Sequence, residues 1–216
     1  MTEILSKISL FTVYFSGVLA VLYLLKWRVN GAAYRWFTLY LVSIAIVQLS
    51  LDLSIRLNPG EINLFLFKYY LIAEFITLSF FYRVLLKSKW INWVIVGGLL
   101  LLTIQYIYYP QYLEYYNPVG VWMTHIILVI FALFHLYKAL SEKMPFTLIS
   151  AGLVVYLMGS AVVFSAGNVY QDIRVPEYIV EFLNRINSML YLGLQVLILF
   201  EWWTKYYKAK TPSLQQ

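Results

Sequence analysis

Seven long apolar runs, separated by short polar stretches, fill almost the whole of the 216-residue chain. A membrane-crossing helix needs about 20 predominantly apolar residues. The pattern therefore predicts seven helices, at about 8–26, 36–55, 63–86, 90–109, 119–140, 146–166 and 179–201. Asn30-Gly31, Asn58-Pro59-Gly60, Pro110, Asn117-Pro118, Pro145 and Gly167-Asn168 punctuate the runs with turn signals. The expected fold class is all-α: a single polytopic seven-helix bundle over 1–216, with a short tail at 204–216.

Charge gives the bundle a direction. Lys26, Arg28, Arg35, Arg83, Lys87, Lys89, Lys138, Lys143, Lys205, Lys208 and Lys210 fall on one side of the runs. Lys7, Arg56, Lys68, Arg174 and Arg185 fall on the other. Eleven basic residues against five make the first side cytoplasmic, so the N-terminus is expected outside and the C-terminus inside. Trp and Tyr residues gather at both sets of run ends, as interfacial belts do. The first run has one basic residue before it, Lys7, and no small-x-small cleavage site, so it reads as a retained helix rather than a signal peptide.

Composition narrows the function classes. Charged residues are 12% of the chain, against about 25% in soluble domains. The net charge of +6 is accounted for by basic loops at a membrane face, and no nucleic-acid partner is expected. With no Cys, disulfides, thiolate metal sites and Cys nucleophiles are excluded. No cofactor or metal is expected, because only two His residues are present, ten positions apart on one run. His135 is expected near the cytoplasmic interface. Helix 7 has no Lys in its core for a retinal-type Schiff base. Met158-Gly159-Ser160-Ala161 resembles a membrane serine-protease loop, but no His is expected at a matching depth on a neighbouring helix.

An ionisable group in hydrocarbon costs a few kcal/mol and needs a partner or a wet cavity. Glu74 lies eleven residues into its run, roughly 16 Å deep, and Asn187 about 12 Å deep in the last run. Tyr70, Glu74 and Thr77 share one helical stripe; Asn184, Ser188, Tyr191 and Gln195 share another; Gln48 and Asp52 are one turn apart. Lipid cannot satisfy such stripes, so they are expected to face inwards as a polar cluster in the outer half of the bundle. Two readings compete. In one, Glu74 forms a structural ion pair with Arg185 or Lys68 and the amides are interhelical glue. In the other, Asp52, Tyr70, Glu74, His125, Asn184 and Asn187 line a ligand pocket, or Glu74 and Arg185 a proton path. Gly152, Gly159 and Ala166 give helix 6 a smooth face for close packing, expected inside the bundle.

Three segments resemble a group of small bacterial seven-helix membrane proteins that have no assigned activity and are considered near sensor kinases. They are Asn63-Leu64-Phe65 leading to Tyr69-Tyr70 and Glu74, the run from Leu153 through Tyr156 to Gly159-Ser160, and Asn184-Arg185-Ile186-Asn187. The resemblance implies the fold and a pocket location, and little about chemistry. The expectation is a non-enzymatic, receptor-like or accessory subunit of the bacterial inner membrane. Its outward pocket would take a small molecule or lipid headgroup, and it would signal through a separate membrane or cytoplasmic partner. The alternatives are a small proton-coupled transporter and a membrane-embedded lipid-modifying enzyme.

Overall fold

The structure is a computed structural model. It describes residues 2–57, 64–114, 117–165 and 177–207, except for the side chains of residues 2–7, 9, 64, 165, 177, 180, 181 and 184. Among the described residues there are seven α-helices and no strand. They are α1 (Thr2–Leu25), α2 (Ala32–Leu57), α3 (Phe67–Leu86), α4 (Ile91–Tyr108), α5 (Pro118–Ala139), α6 (Thr147–Ser165) and α7 (Glu177–Glu201), the last running into a π-helical turn at Trp202–Tyr207.

Six of the helices, α2 to α7, are long and apolar enough to cross a membrane, which makes this a multi-pass membrane protein. The apolar part of α1 is shorter, Leu10–Leu25. Observed ends differ from the expected ones by a few residues, for local reasons. The chain enters α3 through a 3₁₀ turn at Leu64–Leu66, so the α-helix begins at Phe67 rather than 63. Asn117 caps α5 with its side-chain oxygen on the Gly120 N–H at 2.8 Å, and Pro118 at the first helical position has no N–H to leave unpaired. The same Asn117 amide exchanges two hydrogen bonds with Gln105 of α4, at 2.9 and 3.0 Å, which clamps the α4–α5 connection.

Neighbouring helices trace a closed circuit: α1 packs on α2, α2 on α3, α3 on α5, α5 on α6, α6 on α7, and α7 back on α1. The remaining helix, α4, leans on the outside against α3 and more lightly against α5. Burial follows this plan, with 56% of the α3 span enclosed against 22% of the α4 span. A side chain pointing into the circuit meets helices that are not its sequence neighbours. Gly152 and Gly159 do face into the bundle, where Leu194 and Leu197 pack on the first and Leu190 on the second. Close helix approach through small residues is the usual way to gain packing where lipid gives no hydrophobic drive. Ala166, the third residue of that expected face, lies outside the described residues.

Candidate functional site

Inside the circuit, α3, α5 and α6 bring one polar cluster together. Glu74 is wholly enclosed, and its two carboxylate oxygens have separate partners. Tyr70, one turn earlier on α3, donates to Oε1 at 3.1 Å. His125 of α5 places Nε2 3.0 Å from Oε2. The other imidazole nitrogen, Nδ1, lies 3.2 Å from the Leu157 carbonyl and 3.3 Å from the Ser160 hydroxyl, both on α6. Tyr156, also on α6, is 2.9 Å from the Tyr70 hydroxyl.

Donor counting fixes the direction of these bonds. A carbonyl oxygen only accepts, so the contact with Leu157 places a proton on Nδ1. Nε2 and Glu74 Oε2 then share one further proton, and the pair is net neutral whichever atom holds it. Without that proton, two lone pairs would face each other at 3.0 Å. The single Tyr70 proton is committed to Glu74, so Tyr156 must be the donor in the tyrosine pair. The chain runs Tyr156 to Tyr70 to Glu74, with His125 closing it from the far side.

This arrangement corrects one expectation. The depth argument against a His beside Ser160 fails, since His125 sits directly on its hydroxyl. Even so, the nitrogen that faces Ser160 carries a proton and cannot accept another, and Ser160 itself bonds the Leu157 carbonyl at 3.3 Å. An activated serine needs a base with a free lone pair, and this one has none. Arg185 and Lys68 were the two candidates for pairing with Glu74; the ionisable side chain described against it is His125. Lys68 reaches the Leu113 carbonyl at 3.4 Å and lies over the Tyr69 ring instead.

Among the described side chains, the other expected site residues do not join the cluster. Asp52 forms a separate group near the end of α2, accepting from Arg56 at 2.9 Å and Tyr14 at 3.3 Å. Thr77, third on the α3 stripe, is satisfied by the Ala73 carbonyl of its own helix at 2.6 Å. Asn187 carries an enclosed amide oxygen with no hydrogen-bond partner among the described residues. The Asn184 side chain lies outside the described part of the structure. His135, expected near an interface, lies four residues before the end of α5, buried against Tyr82 and beside the Pro145 backbone.

A second polar layer links α7 to α1 and α2. Tyr191 reaches Gln48 at 3.5 Å, and Gln195 donates to the Thr12 carbonyl at 2.8 Å. The Tyr191 ring packs 5.5 Å from that of Tyr156, so the two layers touch. Tyr40 of α2 lies within electrostatic reach of Glu74, Tyr156 and Tyr191, its hydroxyl enclosed and without a described hydrogen bond. Sequence reasoning passed over Tyr40, Tyr156 and Ser160 as site residues. The signal for the last two was present, because they lie one turn apart on a largely apolar helix.

Among the described residues, no group of three or more His, Asp or Glu side chains is placed to hold a metal ion. No family model matches this chain, nor does any curated protein or solved structure.

Proposed function

We propose that the chain is a non-enzymatic, receptor-like or accessory membrane subunit whose responsive element is the Glu74–His125 pair. In this reading all seven helices cross a bacterial inner membrane, with the N-terminus outside and the C-terminus in the cytoplasm, as the eleven-to-five split of basic residues favours. Kinship with the small seven-helix proteins found near sensor kinases belongs to the same proposal. The observation that carries it is the pairing itself. A carboxyl and an imidazole meet at 3.0 Å with both side chains at or below 1% exposure, and share a proton in a hydrogen-bonded chain crossing three helices. A ligand or headgroup that competes for Tyr70 or Tyr156 would move that proton and shift α3 against α5 and α6. The unpartnered oxygen of Asn187 is a second contact for such a ligand, and a separate partner would read the shift.

The test compares wild-type protein with Glu74→Gln, both extracted gently and measured by native mass spectrometry and thermal unfolding. A glutamine amide can donate to Nε2 in place of the shared proton, so the fold should survive. The proposal expects an added small-molecule mass on the wild type that is absent from the variant at equal stability. Collapse of the variant's expression, or an equal mass on both, would leave the pair as internal glue.

A proton-coupled carrier is the second reading. It is favoured by the contact between the two polar layers, which extends the line of polar groups from Ser160 towards Gln195 and Thr12. Proton uptake by liposomes reconstituted with the wild type, lost in Glu74→Gln, would select it.

A further inference from the structure

At the lysine-rich end of the bundle, opposite the Asp52 end of α2, three turns border a half-open cavity of about 500 Å³. This is within the roughly 300–1,000 Å³ of small-molecule sites. The α1–α2 turn contributes Gly31, the end of α3 contributes Lys87, and the α5 end and α5–α6 turn contribute Lys138, Glu142 and Lys143. Three lysines against one carboxylate leave two positive charges in excess. Lys138 is 3.7 Å from Glu142, while Lys87 and Lys143 have no described ion pair and are exposed.

The cavity also receives the start of α2. The Gly31 carbonyl accepts the first helical bond, from the Arg35 N–H at 3.2 Å, so the N–H groups of Ala32, Ala33 and Tyr34 precede any intrahelical partner. Space beside Gly31 is open, and an anion can approach that backbone closely. Lys87 and Lys138 also sit in or just past the last turns of α3 and α5, where a cation offsets exposed carbonyls. That role does not explain Lys143, which belongs to the turn, nor the cavity between the three.

One wall of the cavity is anchored to α7. Lys87 at φ 52° and Phe146 at φ 62° are the positive-φ non-glycine residues among those described, and both line this cavity. Phe146 is locked by its N–H on Glu201 at 3.2 Å, and Glu201 is held in turn by Lys205 at 2.6 Å. The level is interfacial as well, since Trp36 stacks on Phe80 at 4.5 Å and Arg83 lies over the same ring.

We propose that this cavity binds a phosphate group, either on an anionic lipid headgroup or as a free anion, between Lys87, Lys138, Lys143 and the first turn of α2. Lysines act on phosphate as point charges, and backbone N–H groups supply the directional bonds. The site is independent of the Glu74–His125 pair and stands or falls separately.

The test uses the full-length protein in nanodiscs of phosphatidylcholine, with and without phosphatidylglycerol, and in detergent titrated with inorganic phosphate. The readouts are retained lipid by native mass spectrometry and the shift in unfolding temperature. The key variant is Lys87→Gln/Lys143→Gln, two exposed side chains whose loss leaves the core intact. The control is Lys68→Gln/Lys89→Gln, which removes the same charge elsewhere. Retention of phosphatidylglycerol, weakened at least tenfold in the first variant and unchanged in the control, identifies a lipid headgroup site. Stabilisation by inorganic phosphate with the same pattern identifies a free anion. Equal losses in both variants, or no response to either probe, would overturn the proposal.

Discussion

His125 Nε2 and Glu74 Oε2 meet 3.0 Å apart inside the helix circuit, from helices 51 residues apart in sequence. Removing one member of such a buried pair strands the other, at a cost of about 3–5 kcal/mol. His125→Ala should therefore unfold at a markedly lower temperature in detergent, and Glu74→Leu/His125→Leu should recover most of the loss. A double variant as unstable as the sum of the single ones would show that the two groups do not act as a pair.

The direction of the tyrosine chain gives an asymmetric prediction. Tyr156→Phe removes one donor from Tyr70 and should cost about 1 kcal/mol. Tyr70→Phe also deprives the Glu74 carboxylate of a donor and leaves the Tyr156 hydroxyl unpaired, so about 2–3 kcal/mol is expected. Chemical-denaturation midpoints of the two variants check the order, and a reversed order would mean that the bonds run the other way.

Asn117 serves as helix cap and amide partner at once. Asn117→Ala should cost about 2–3 kcal/mol, combining a lost cap of about 1 kcal/mol with the desolvated Gln105 amide left behind. Limited proteolysis should then cut first at the α4–α5 connection; unchanged cleavage there would refute the clamp.

Helix 6 tolerates little at its inward glycines. A Cβ on Gly152 falls 2.7 Å from Leu197 Cδ1 and 3.1 Å from Leu194 Cδ1. Gly152→Val should destabilise by about 1–3 kcal/mol through overpacking, and Leu197→Ala in the same chain should relieve part of it. Thermal melts of the single and double variants measure that compensation, and strictly additive losses would contradict the contact.

The helices were legible because lipid demands long apolar runs, and the Tyr70–Glu74 stripe followed from helical periodicity alone. Its partner was not, because periodicity shows which face is polar and not which helix stands opposite. The circuit puts α5 beside α3 and moves α4 outside. That choice gives Glu74 a histidine. The Ser160 error was avoidable. His125 and Ser160 lie 18 and 17 residues from Lys143, in the turn joining two antiparallel helices, and so must share a level. The lysine cavity was hidden for another reason: three separate turns build it, and charge counting treats their lysines only as a topological signal.

Synthesis order turns the Glu74–His125 pairing into a problem of timing. Glu74 leaves the ribosome 51 residues before His125. At about 5–20 residues per second the interval is about 3–10 s. Throughout it, a nascent α3 holds a carboxyl group whose eventual neighbour has not yet been made. Until α5 arrives, Tyr70 is the described partner of that group already made. Tyr156, which completes the chain through Tyr70, follows later still. Completion of this polar chain therefore waits for the fifth and sixth helices, and a chain ending after the fourth would leave Glu74 without its imidazole partner.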